Sequence, residues 1–279
     1  MKVSVVVPSF NYAQYIDACL QSIQSQTYSN FEVLIADGGS TDGSLEIIEK
    51  FCQADARFRL VSREDKGQPD AVNKTLKLAD GDIQCFLNAD DVYLSQEVFA
   101  VIVKAFTAYR DVSIISSAGY YIDADGKYIK PVRLRYHPLD NIGWMKYRVA
   151  CLQPATFWRK YVFESVSFKI DFHYSFDSVF FYEAYIGYSW LEIADVTAGY
   201  RLHGQNKSMW VKSARIRELA DFEVVKFGKN SLRAFYLRGI AWMVSLFERL
   251  GKLGLYCSKG LYVLVNGLAY LTCYRLPSI

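Results

Sequence analysis

At 279 residues the chain can bury a substantial core, more readily as one domain with an appendage than as two full domains. Its 22% charged and 52% apolar residues exclude general disorder, and a net charge of +3 gives no footing for a nucleic-acid partner. The 16% aromatic content, with 21 Tyr and 18 Phe, points either to aromatic-lined pockets or to a lipid interface, and composition does not choose between them.

In chain order, Val3 to Val7 is a valine-rich run, the pattern of a strand covered on both faces in a parallel sheet. Pro8 and Asn11 break it, and Ile16, Leu20 and Ile23 follow at helical spacing. A second strand, Phe31 to Ala36, runs into Asp37-Gly38-Gly39-Ser40-Thr41-Asp42-Gly43, after which Leu45, Ile47 and Ile48 begin another helix. A short strand at Phe58 to Val61, a helix from Pro69 to Leu78, a strand from Ile83 to Leu87 and a helix after Ser95 continue the alternation. Such alternation predicts an α/β fold with right-handed crossovers and a mostly parallel sheet flanked by helices. Ligands of such sheets bind beyond the carboxyl ends of the strands, which selects Pro8 to Asn11, Asp37 to Ser40 and Asn88 to Asp91 as one neighbourhood. After Val112 to Ser116 the order changes. Asp123 to Gly126 reads as a hairpin turn between Tyr121-Ile122 and Tyr128-Ile129, with a short helix near Ile142 to Lys146 and another from Ser175 to Tyr185.

From Val211 the pattern is helical, so the expected division is a domain over 1–210 and a basic, aromatic-rich helical tail over 211–279. From Val224 onward eight basic residues, Lys226, Lys229, Arg233, Arg238, Arg249, Lys252, Lys259 and Arg275, stand against the single acid Glu248. The tail thus carries +7 and the remainder −4. Phe235, Ile240, Met243, Val244, Phe247 and Leu250 mix with the arginines, and the almost uncharged run Leu261 to Tyr274 is shorter than the roughly 20 residues that span a bilayer. The tail reads as an amphipathic pair at a membrane surface or as a hairpin that packs on the body or forms a homodimer. Six cysteines without a CxxC pair read as reduced, buried thiols. MKVSVVVPSF is too short in its apolar run for a secretory signal, so the body is expected in the cytoplasm, peripheral on the membrane if the tail binds there.

The segment FLNADD puts Asp90 and Asp91 just past an apolar strand. Hard carboxylate oxygens there can hold Mg²⁺ or Mn²⁺; two acids after a strand can equally open a helix, stabilised by its dipole. Asp37 can accept a hydrogen bond from a base or ribose, with Gly38 and Gly39 permitting close backbone approach. Otherwise it belongs to a glycine-rich turn in which Ser40 or Thr41 caps the next helix. The glycines match neither a dinucleotide fingerprint nor a P-loop.

These pieces occur together and in order. VVVPSFNYAQYIDACLQSIQSQTYSNFEVLIADGGSTDGS, followed by EDKGQPDAVNKTLKLADGDIQCFLNADD, resembles the nucleotide-binding half of the family 2 glycosyltransferases with the GT-A fold. With the later motifs the resemblance extends to about residue 205. It implies an inverting, metal-dependent transferase that uses a nucleotide-sugar donor, commonly a UDP-sugar, and a carbohydrate or lipid-linked acceptor; a tail at a membrane surface would place it in polysaccharide or glycoconjugate assembly. By the same resemblance Pro8, Ser9, Asn11, Asp37 and Gly38 contact the nucleoside, and Asp65 lies against the base or ribose. Asp90 and Asp91 correspond to the DxD-type metal motif. Asn88 stands at its first acidic position, so Asp90 and Asp91 divide the ribose and metal contacts between them. Asp177, in YSFDSVFFYEA, resembles the general base, a helix N-cap being the other reading and Asp171 and Glu183 the fallback candidates. CLQPATFWRK resembles a segment on the acceptor side, where Gln153 offers donor and acceptor groups and Trp158 a flat face for a sugar ring. YRLHGQNKS places His203 and Lys207 over the diphosphate, His203 as a cation ligand and Lys207 as a neutralising charge.

Two other classes compete. A metal-dependent nucleotidyltransferase needs a basic, glycine-rich triphosphate loop near the first strand, and PSFNYAQY provides none. A non-catalytic nucleotide-binding module would dock through the tail, and the joint presence of Asp37, Asp90, Asp91 and Asp177 speaks against it.

Overall fold

The computed structural model describes residues 1–62, 65–132, 151–204, 206, 212–228 and 232–248. Every residue of β1 (Val3–Ser9) and β2 (Phe31–Asp37) is buried, as the valine-rich pattern requires of strands covered on both faces. β1 pairs in parallel with β2 and β4 (Ile83–Phe86), and β2 with β3 (Phe58–Ser62). The crossovers are α1 (Ala13–Gln24), α2 (Ser44–Ala54) and α3 (Gln68–Leu76). α1 buries Ile16, Cys19, Leu20 and Ile23 in the core, the apolar stripe read from the spacing.

Beyond β4 the chain enlarges the sheet in a way the alternation did not announce. β5 (Val92–Tyr93), α4 (Val98–Ala108), β6 (Ile114–Ile122) and β7 (Tyr128–Val132) lead to β8 (Thr156–Arg159), α5 (Lys160–Ser165), α6 (Phe176–Gly187) and β9 (Trp190–Arg201). The strand order is β3-β2-β1-β4-β8-β6-β9-β5, with β7 beside β6. β8 runs antiparallel between β4 and β6, and β9 pairs parallel to β6 along most of its length. The expected hairpin joins β6 to β7, with Asp123 Oδ1 accepting from the Asp125 and Lys127 amides at 3.0 and 2.9 Å.

By its contacts the chain divides into two compact units, Met1–Tyr136 with Val149–His203, and His137–Arg148 with Gly204–Ile279. In the second unit α7 (Lys212–Phe227) and α8 (Leu232–Glu248) pack on each other, and Arg238 meets Asp221 at 3.0 Å. The helix expected near Ile142 to Lys146, the run Leu261 to Tyr274 and Lys207 all lie outside the described residues. Cys19, Cys52, Cys85 and Cys151 are free thiols.

Candidate active site

The loops after β1 and β2 are locked to each other. The Gly38 amide donates to the Ser9 carbonyl at 2.9 Å, the Asn11 amide to Ser40 Oγ at 2.8 Å and the Thr41 amide to Asn11 Oδ1 at 2.9 Å. Asn11 holds a left-handed φ of 57° to do so, a conformation asparagine tolerates better than most residues. Asp37 is fully buried and accepts from the Gly39 and Ser40 amides and from Ser40 Oγ at 3.0, 2.7 and 2.7 Å. A carboxylate offers about four acceptor positions, so the loop uses most of what Asp37 has. Ser40 therefore serves this loop, and α2 begins without a side-chain cap.

Pro8 is buried in β1 opposite Ala36. Ser9 Oγ is also buried, with no hydrogen-bond partner among the described residues. A Cβ at Gly38 would sit 3.2 Å from Asp65 Oδ2 and 3.3 Å from the Phe10 ring, tighter than ordinary packing. Gly38 is thus the residue that lets the Asp65 segment, itself held by the Gly67 amide at 2.7 Å, close on the β2 loop. Phe10 remains 57% exposed beside them, a flat apolar face that the motif reading passed over.

Asp90 and Asp91 do not open a helix, because α4 begins only at Val98 and β5 intervenes. β5 pairs antiparallel with β9, Val92 opposite Gly199 and Tyr93 opposite Ala198. That ladder brings Arg201 and His203 to the two acids. Asp91, 1% exposed, accepts the Arg201 amide at 2.8 Å with Oδ1 and Asn88 Nδ2 at 3.3 Å with Oδ2. Asp90 Oδ2 lies 2.9 Å from His203 Nε2, while its carbonyl accepts Arg201 Nε at 2.7 Å. Arg201 also donates to the Asp123 and Ala124 carbonyls. The rings of Tyr15 and Tyr12 stand 4.7 and 6.3 Å from the imidazole.

Burial pushes the Asp91 carboxyl well above the usual carboxylate range and the neighbouring Asp90 pushes the same way, against the pull of the Arg201 amide and Asn88. Burial, then the charges of Asp90 and Asp91, likewise raise the Tyr12 phenol, which stays neutral. Among the described residues no group of three or more His, Cys, Asp or Glu side chains is arranged to hold a metal ion. The expectation that Asp90, Asp91 and His203 form one cation-binding set meets a different division: Asp90 and His203 face each other, and Asp91 is engaged by the fold.

Gln153 precedes β8, whose antiparallel course sets that end beside the carboxyl end of β4. It is buried, donating to the Phe86 carbonyl at 2.6 Å and accepting from Asn88 Nδ2 at 3.0 Å. Both halves of its amide are taken, so it does not stand free on an acceptor side. Trp158 requires a plainer correction. It is fully buried, its ring 5.2 Å from Phe180, 6.1 Å from Phe181, 6.4 Å from Phe168 and 6.5 Å from Phe86. It offers no face to a sugar. Removing such a ring costs about 3–5 kcal/mol, which is reason enough for its presence.

Asp177 lies in the first turn of α6, whose N-cap is Ser175, and its Oδ1 accepts from the Ser178 amide at 2.6 Å. Phe176 beside it packs on Phe86 at 6.0 Å, so α6 starts near the end of β4. Glu183 is paired with Lys169 at 3.4 Å, and Asp171 is exposed.

Sequence motifs drew attention to Asp90, Asp91 and His203 but not to Tyr12, Tyr15, Arg201 or Gln68. The first two were visible only as aromatics of NYAQY, one helical turn apart.

The chain is 33% identical over 120 residues to "Glycosyltransferase GlyA" of Streptococcus pneumoniae, an alignment covering 43% of this chain and 17% of that protein. It therefore spans well under half of that relative. Among solved structures, S. aureus TarS 1-349 in complex with UDP-GlcNAc superposes with a TM-score of 0.63 at 19% identity, covering 90% of this chain and 73% of TarS 1-349. The mannosyltransferase PcManGT from Pyrobaculum calidifontis, in complex with GDP-Man and Mn²⁺, gives 0.61 at 20% identity, over 98% and 81% of the two chains. The fold is thus that of the GT-A glycosyltransferases. The sequence profile of Glycosyl transferase family 2 matches residues 4–167, and the chain belongs to that family.

Proposed function

We propose that the chain is an inverting, metal-assisted glycosyltransferase that moves a sugar from a nucleotide diphosphate, in the first instance a UDP-sugar, to a hydroxyl of a carbohydrate or lipid-linked acceptor. The observation that carries this reading is the Asp90–His203 pair, 2.9 Å apart, at the carboxyl end of β4. Its donor set fits a divalent cation: one carboxylate oxygen and one imidazole nitrogen, with diphosphate oxygens and water as the remaining ligands. The imidazole favours Mn²⁺ over Mg²⁺. When bound, such a cation supplies positive charge where a diphosphate departs. The nucleotide sugars held by TarS and PcManGT support the donor class, and the Mn²⁺ of PcManGT supports the cation.

The chain's own residues then have separable tasks. Phe10 offers a face for the base, Ser9 Oγ an unmatched hydroxyl, and Asp37 and Asp65 their remaining acceptor positions. Asp177 takes the proton of the acceptor hydroxyl while that oxygen bonds to the anomeric carbon and the bond to the diphosphate breaks on the opposite face. Inversion follows from that geometry. The loop after β1, Phe10-Asn11-Tyr12, carries no basic residue, which sets a nucleotidyltransferase aside.

Calorimetry with UDP tests the reading: Mn²⁺ is expected to tighten UDP binding by about tenfold or more, and a panel of nucleotide sugars to be turned over slowly without acceptor. UDP binding indifferent to Mn²⁺ counts against the metal-assisted mechanism. Binding with no turnover of any donor returns the chain to a nucleotide-binding module.

Peripheral attachment to a membrane is the second part of the proposal. On α8 the side chains of Ile240, Ala241 and Val244 are buried, whereas Phe235, Trp242 and Leu246 are 81%, 69% and 48% exposed. At helical spacing those three share one face, so the helix is apolar on two sides. No helix among the described residues is long and apolar enough to cross a membrane. The +7 of the tail favours anionic headgroups around such a face. Burying each ring contributes about 2 kcal/mol, so the full chain carrying F235E and W242E is expected to sediment with anionic vesicles at least tenfold less than wild type. Unchanged sedimentation, or a concentration-dependent dimer that those changes dissolve, would assign the face to a second copy of the chain.

A further inference from the structure

Asn88 occupies the position where the motif this chain resembles carries an acid, and the hydrogen bonds around it run in one direction only. The Phe86 carbonyl can only accept. It therefore fixes Gln153 Nε2 as donor at 2.6 Å and turns Gln153 Oε1 toward Asn88. Asn88 Nδ2 donates to that oxygen at 3.0 Å and to Asp91 Oδ2 at 3.3 Å, which leaves Asn88 Oδ1 to accept from Gln68 Nε2 at 2.7 Å. At the far end, Asp91 Oδ1 receives the Arg201 amide at 2.8 Å. Arg201 belongs to the end of β9, just before His203, the partner of Asp90.

We infer that Asn88, with Gln68 and Gln153, is a positioning residue of this site: an amide relay that orients Asp91 and, through Arg201, sets His203 against Asp90. The inference rests on the reading of Asp90 and His203 as the cation-holding pair. An amide is needed at 88 because the residue must donate on one side and accept on the other. Aspartate has the same shape but only accepts. At 88 it would face the Gln153 oxygen with no proton between them and set a third acid beside Asp90 and Asp91, a partly buried arrangement that costs more than the loss of a bond. Restoring the acid of the related motif therefore weakens the site in this chain. The relay also reaches the first residue of α3 through Gln68, so the segment that carries Asp65 and Gly67 is tied to the acidic loop.

The test is calorimetric titration of Mn²⁺ in the presence of UDP, on the full chain as wild type, N88D and Q68L, with far-UV circular dichroism and melting temperature as controls. Loss of an orienting partner of a metal ligand lowers metal affinity by about 10- to 100-fold. N88D is expected at the upper end of that range and Q68L, which adds no charge and leaves Asp91 its donor, at the lower end. UDP binding without Mn²⁺ should change little in either. Tighter Mn²⁺ binding in N88D would make position 88 a cation ligand and overturn the inference, as would unchanged affinity in both variants. Should N88D fail to fold, Q68L decides alone, an unchanged Mn²⁺ affinity sinking the relay. Wild-type protein that binds UDP without regard to Mn²⁺ would instead defeat the functional reading itself, and the relay with it.

Discussion

Asp90→Ala is expected to lower kcat/KM with a nucleotide-sugar donor by about a thousandfold or more while leaving the fold close to intact. The carboxylate meets His203 Nε2 at 2.9 Å, and the Arg201 guanidinium is held by the Asp90 carbonyl, which alanine retains. On the functional reading that carboxylate is one of the two cation ligands the protein supplies. Asp91→Ala is the informative control. It leaves the Arg201 amide without its acceptor at a site 1% exposed and Asn88 Nδ2 with Gln153 Oε1 alone, at a cost of about 1–3 kcal/mol for the buried amide. In a chain of this size each kcal/mol lowers the melting temperature by about 2–4 °C. The two neighbours thus separate by assay: Asp90→Ala in turnover at nearly constant Tm, Asp91→Ala in Tm first. If both variants turned over donor as well as wild type, the transfer site would lie elsewhere.

Asp177→Asn is expected to reduce kcat by about 10²- to 10⁴-fold, with the KM for the donor and Mn²⁺-dependent UDP binding near wild type. Asparagine keeps an oxygen for the Ser178 amide, which the aspartate receives at 2.6 Å, and Phe176 still anchors the helix start on Phe86 and Phe168 at 6.0 and 5.6 Å. What is lost is the capacity to take a proton. Oδ2 takes part in neither of the bonds to Ser178. Measuring kcat against KM therefore separates this residue from Asp90, whose loss acts on the donor side. A product that retains the anomeric configuration, or an Asp177→Asn enzyme of normal kcat, would remove Asp177 from this role. Glu183 is then a poor substitute, since Lys169 already holds it.

The alternation of strands and helices from Val3 to Phe86 was legible because both periodicities are local. Strands buried on both faces show as runs of valine and isoleucine, and α1 shows as Ile16, Leu20 and Ile23. The rule that ligands sit beyond strand carboxyl ends then picked out the loops at Ser9, Asp37 and Asn88 before any contact between them was known. Asn11 and Asp37 lend hydrogen bonds to the loops they stabilise, and Trp158, on β8, faces the core. On a strand successive side chains alternate between faces, and a run such as TFWR gives no sign of which face meets solvent when helices cover both.

The parallel half of the sheet, the polar loops at its carboxyl edge and the two acids there are all written in local sequence pattern. How those acids divide follows from pairing between distant segments. Asp91 leads into β5, and the β5–β9 ladder carries the Arg201 amide onto its carboxylate, leaving Asp90 to His203. That ladder joins segments about a hundred residues apart, Val92 to Gly199. Pairing at such separation is set by backbone hydrogen bonds that any residue can make, so it leaves almost no mark on the sequence that forms it.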